Sequence, residues 1–142
     1  MKITIIIEGE NGEVKVLNEQ VTKGESRKDV SQYARFFDES CPNWTKDPGI
    51  NLLFLRQQEA YANAKLKNDG YLFLNDVYNK LGIPRSKEGQ VVGWGYNWND
   101  SVGDNFVDFG IYADRNKGFV NGFERSILLD FNVDGLIIDK IN

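Results

Sequence analysis

The sequence predicts an α+β fold: an N-terminal β-hairpin, two central helices, and a mainly antiparallel C-terminal sheet that ends in a β-hairpin. Three observations lead there. Both ends carry alternating apolar runs around a hairpin turn, Asn11-Gly12 near the start and Asp134-Gly135 near the end. Between them lie stretches of helical periodicity with recognisable caps. No regular strand-helix-strand series appears, which disfavours a parallel sheet.

Ile3-Thr4-Ile5-Ile6-Ile7 and Glu13-Val14-Lys15-Val16-Leu17 are the arms of the first hairpin. Ser26-Arg27-Lys28-Asp29 has capping-box spacing, and Val30, Tyr33, Ala34 and Phe37 follow at helical intervals, so a helix is expected over residues 27–39, ended by Cys41-Pro42. Asp47-Pro48 is a side-chain cap followed by a proline preset for the first turn. Ile50, Leu53, Phe54, Tyr61 and Ala64 share one face of the next helix, widened by Leu52, Leu55, Ala62 and Leu66, and Asn68-Asp69-Gly70 stops it. After Tyr71-Leu72-Phe73-Leu74, Asn75 is expected to cap a helix over residues 76–81 that terminates at Gly82. Strands are expected over residues 90–98 and 106–112, a short helical turn over residues 119–123, and a hairpin over residues 126–141. That hairpin sets Val133 against Leu136, Phe131 against Ile138, and Asp130 opposite Asp139, where two carboxylates repel unless a cation or donor separates them.

A chain of 142 residues is sized for one domain, here 1–142, with residues 1–25 as the hairpin and 26–142 as the remainder. One cysteine and no membrane-length apolar run give the expectation of a cytoplasmic protein without disulfides or membrane association. The absence of histidine removes Ser-His and Cys-His nucleophile pairs and every histidine metal site. The net charge of −4 lies wholly in residues 97–142, and no basic stripe is present, which disfavours general nucleic-acid binding. The aspartates Asp100, Asp104, Asp108 and Asp114 either form turns on a wetted surface or face a basic partner.

Three motifs carry candidate chemistry. Residues 130–135, Asp-Phe-Asn-Val-Asp-Gly, match the start of a calcium loop, with Asp130, Asn132 and Asp134 as the ligands, but Ile141 stands where the bidentate glutamate belongs, and hairpin turn chemistry explains the same residues. Gly93-Trp94-Gly95-Tyr96-Asn97-Trp98 would project Trp94, Tyr96 and Trp98 from one face of a strand. These rings are either core or a stacking platform for a nucleotide-like ligand, with Arg85 or Arg115 alongside. Asp104, Asp108 and Asp130 form a conceivable magnesium-type cluster for a hydrolase, without diagnostic spacing. Cys41 has no histidine to activate it and reads as an inert thiol, so no catalytic residue or cofactor is assigned.

The stretches Tyr33-Ala34-Arg35-Phe36-Phe37-Asp38-Glu39-Ser40, Gly103-Asp104-Asn105-Phe106-Val107-Asp108-Phe109-Gly110-Ile111-Tyr112 and Glu124-Arg125-Ser126-Ile127-Leu128-Leu129-Asp130-Phe131-Asn132-Val133-Asp134-Gly135 resemble a family of uncharacterised proteins encoded by phages, prophages and mobile elements of Firmicutes. The resemblance runs from about Tyr33 to the C-terminus and implies no activity. With the charge pattern, it gives a first expectation of a non-enzymatic protein that binds another protein, as a virion or assembly component or as an inhibitor of a host defence or regulatory protein. A homo-oligomer is compatible with it. The second expectation is a binder of small nucleotide-like ligands, and the third is the metal-dependent hydrolase.

Overall fold

Asp47 sets the longest element of the computed structural model, which describes residues 30–99 and 103–141. Its carboxylate accepts the backbone N–H groups of Gly49 (2.9 Å) and Ile50 (3.3 Å), and Pro48 needs no acceptor at the first turn. Helix α1 (Pro48–Asp69) follows and ends at Gly70, whose left-handed φ of 87° lets its N–H reach back to Leu66 O. Only one edge of the expected apolar stripe is buried, by Leu55, Ala62 and Leu66, while Ile50, Leu53 and Tyr61 stay exposed. The fully buried Asn51 on that edge pairs with Thr45 in both directions, accepting its N–H (2.9 Å) and donating to its carbonyl (2.8 Å). That clamp closes the loop before the helix.

Strand β2 (Tyr71–Phe73) leaves Gly70 directly and runs into helix α2 (Leu74–Leu81), so the helix begins two residues earlier than its sequence predicts and has no side-chain cap. Asn75 is not that cap. Its amide instead holds Ser86 by both backbone groups, each at 2.9 Å. The end of α2 is as expected: Gly82 takes φ 74°, its N–H reaches Asn79 O, and Ile83 N–H reaches Tyr78 O, a Schellman arrangement that satisfies two terminal carbonyls.

Two small antiparallel sheets complete the α+β architecture. In the first, β1 (Arg35–Phe37) pairs with β4 (Ile127–Leu129), Arg35 opposite Leu129 and Phe37 opposite Ile127. The second has the order β2-β3-β5, with β3 (Val92–Gly95) between β2 and β5 (Gly135–Leu136). Helix α3 (Lys117–Val120) continues a 3-10 turn at Asp114–Asn116, slightly before the expected turn at 119–123. The described residues from Arg35 onward form one compact unit. Residues 30–34, which belong to the other unit, contain a turn in which Ser31 accepts the N–H groups of Tyr33 and Ala34. The expected N-terminal hairpin lies outside the described residues.

Several local expectations are corrected. Residues 27–39 have helical spacing, yet in the described part, residues 30–39, Arg35–Phe37 is a strand, because pairing with β4 buries Phe37 and stacks it on Phe54 (centroids 5.6 Å apart). The strand at 90–98 is confined to Val92–Gly95. The hairpin over 126–141 does not form: β4 pairs with β1 and β5 pairs with β3, so the chain crosses from one sheet to the other, and Asp130 has no Asp139 opposite it. Alternation states which face is buried, here that of Ile127, Leu129 and Phe131, but not which strand lies alongside.

The core gathers Trp94, Tyr78, Phe37, Phe109 and Phe119 with Leu55, Leu66, Leu74 and Leu81. Phe131 meets Tyr78 (5.6 Å) and Phe109 (5.3 Å) in T-shaped contacts, a favoured geometry for aromatic quadrupoles.

Candidate functional site

Residues 106–112 keep the predicted alternation, with Val107, Phe109 and Ile111 buried while Phe106, Asp108 and Tyr112 are exposed, but they join no strand ladder. Side chains take the ladder's place on the α1 side. Asn63 donates to Val107 O (3.0 Å) and accepts Val107 N–H (2.7 Å), and Glu59 accepts Phe109 N–H (2.8 Å). On the other side Asp130 N–H and Asn132 N–H donate to the carbonyls of Phe109 and Asp108. The buried Asn116 then donates to Gly110 O and Leu128 O, each at 3.0 Å. The segment is therefore fixed on both edges although it is not regular structure.

Asn132 is the hub of this region. Its amide oxygen accepts the indole N–H of Trp94 (2.9 Å) and the backbone N–H of Asp108 (2.7 Å), and its amide nitrogen donates to Asp104 Oδ2 (3.0 Å) and Phe106 O (2.9 Å). Asp134 Oδ2 accepts Gly95 N–H at 3.0 Å, its own N–H donates to Gly93 O, and the Asp104 N–H also bonds its carboxylate. Burial pushes the Asp134 pKa up, opposed by those two N–H donors; Asp104 raises it further and Lys140 lowers it. A Cβ at Gly103 would collide with the Asp134 carboxylate, so glycine is required for this approach. The calcium-loop pattern thus places Asn132 and Asp134 where their oxygens bind N–H groups, with Asp130 half-buried at the end of β4. Among the described residues no group of three or more acidic or cysteine side chains is placed to hold a metal, and Asp104, Asp108 and Asp130 form no such group.

The aromatic row is dispersed. Trp94 is fully buried in the core, the strand stops at Gly95, Asn97 turns the chain with φ 56°, and Trp98 folds back over Gly95, where a Cβ would strike its ring. Tyr96 is half-buried, its N–H bonded to Gly70 O. Arg85 is exposed behind α2, and Arg115 is exposed in the 3-10 turn before α3. Cys41 is buried, and that burial raises its pKa.

Residues 104–123 expose both aromatic and acidic side chains. Phe106, Tyr112 and Phe123 are 48%, 61% and 84% exposed. Asp104, Asp108 and Asp114 are exposed in the same region of the chain, and Asp100 lies outside the described residues. Asp108 accepts the N–H of Gly110 (2.8 Å), and Asp114 meets Lys117 only at 3.8 Å, both side chains being open to solvent.

A sequence model of a family of unknown function, DUF6353, matches residues 5–141. The chain belongs to that family. No curated protein and no solved structure matches this DUF6353 chain. No helix among its described residues is long and apolar enough to cross a membrane. The charge imbalance of the sequence points to these aspartates, whereas alternation alone does not tell an outward-facing ring such as Phe106 from a core one.

Proposed function

We propose that this DUF6353 chain is a non-enzymatic protein of a phage or mobile element that acts in the host cytoplasm by recognising another protein, as an assembly component or as an inhibitor of a host defence or regulatory protein. The observation that carries the reading is the exposure of Phe106, Tyr112 and Phe123 together with Asp104, Asp108 and Asp114, all within residues 104–123. Exposed rings flanked by carboxylates suit arginine and lysine side chains, which stack on the ring face while pairing with the acid. The partner surface is accordingly basic. A backbone fixed by Asn63, Glu59, Asn116 and Asn132 supports it further, since a preorganised loop pays little ordering entropy on binding.

The test is affinity capture from host lysate with the wild type and with Tyr112→Ala, Phe123→Ala and Asp114→Lys, each checked for folding by circular dichroism. The expected result is a partner held by the wild type, weakened at least tenfold by each substitution and by raised salt. Capture indifferent to all three substitutions would overturn the proposal.

A further inference from the structure

A groove of about 240 Å³ lies between helices α1 and α2. Its floor is apolar, made by the buried side chains of Ala62, Leu72, Val77, Leu81 and Phe109. Its rim is polar on both sides, with Lys65 from α1 and Asp76 and Lys80 from α2. Lys65 is neutralised by Asp69 at 2.9 Å. Lys80 has no carboxylate within ion-pair distance among the described residues, and its ammonium instead sits 4.8 Å from the Tyr61 ring centroid, both side chains lining the groove. Asp76, one turn earlier on the same helix, does not pair with it.

We propose that this groove binds a compact amphipathic carboxylate, whose apolar body fills the floor and whose carboxylate pairs with Lys80. The volume argues for the size, because pockets for drug-sized ligands span about 300–1,000 Å³ and this one is smaller. The polar rim argues for a small molecule over a protein, since a stable protein interface needs about 800 Å² per partner and this apolar floor is walled by charged side chains. The unneutralised ammonium argues for an anion. Tyr61 acts as a positioning residue that keeps the ammonium at the groove.

The probe is 3-phenylpropionate at millimolar concentration, followed by chemical-shift changes of the backbone amides of the full chain, with 3-phenylpropan-1-ol as the uncharged control. The expected result is saturable shifts confined to amides of the groove, such as Ala62, Leu72 and Lys80, with affinity about tenfold weaker for the alcohol and for Lys80→Gln. Lys80 is exposed, so the substitution leaves the fold intact, which the rest of the spectrum verifies. Absence of saturable shifts, shifts outside the groove, or equal affinity for acid and alcohol would each overturn the proposal.

Discussion

Asn63 in the middle of α1 holds Val107 by both of its backbone groups, at 3.0 and 2.7 Å, although 44 residues separate them. An asparagine amide offers the same donor and acceptor pair as a peptide group, and here it stands in for a neighbouring strand. Asn51 does the same for Thr45 and Asn75 for Ser86, while Asn132 spans Phe106 and Asp108. A loop-rich unit with short strands thereby satisfies buried backbone groups without ladders.

Removal of the Asn63 amide strands two backbone groups of a buried residue. Asn63→Ala is expected to lower unfolding free energy by about 2–4 kcal/mol, and Asn63→Asp, which keeps only the acceptor, by less. Urea denaturation measures both, and hydrogen exchange should show the Val107 amide losing protection first. An unchanged urea midpoint for Asn63→Ala would contradict this role.

Asn132→Asp tests the hub. The aspartate can still accept from Trp94 and Asp108 but no longer donates to Asp104, and it sets one carboxylate against another. A loss of about 2 kcal/mol or more is expected at pH 7, partly relieved at pH 5 as one carboxyl takes a proton. Addition of millimolar calcium should shift the melting temperature of neither protein. A calcium-dependent rise in the wild type would restore the ion-binding reading of residues 130–135.

Glu59 and Asp134 move in the same direction with pH. Burial is the largest cause in each case and raises the folded pKa above the ordinary values of 4.5 and 3.8. In the window between those values and the raised folded ones, the folded state binds more protons than the unfolded state, so stability falls as pH rises and is regained as pH falls. The denaturant midpoint is therefore expected to rise as pH falls from neutral toward the ordinary carboxylate range, and Glu59→Gln, which keeps an acceptor for Phe109 N–H, should flatten that slope. A midpoint that falls over this range would show that other groups dominate. Asp69 contributes in the opposite sense, its pKa lowered by Lys65, but this pair is solvent-exposed and weak.

Phe123→Ser and Tyr112→Ser should leave stability within about 0.5 kcal/mol, because both rings are already largely in water. Thermal unfolding checks this. A loss several times larger would mean that the rings are structural.

The helix from Pro48 to Asp69 and the end of α2 at Gly82 were legible because caps and left-handed glycines act within a few residues of themselves. The partners of Arg35–Phe37 and Ile127–Leu129 were not, since local periodicity carries no information about a strand some 90 residues away. Asn63, Asn75 and Asn132 resemble caps and turn residues in a sequence, and only their distant partners reveal their work. Trp94, Tyr96 and Trp98 share a face only on an uninterrupted strand, and the turn at Asn97 separates them. The aspartates of residues 104–123 were visible as composition, while the exposed rings of that segment and the groove at Lys80 depend on which side chains remain exposed after folding.

The most direct measurement is site-specific photo-crosslinking in expressing host cells, with Tyr112→p-benzoylphenylalanine within residues 104–123 and Arg85→p-benzoylphenylalanine as an exposed control. Crosslinking of one discrete, basic host or phage protein from position 112 and not from position 85 is the result expected. No discrete product from position 112, or the same products from both positions, would contradict the assignment of this segment to protein recognition.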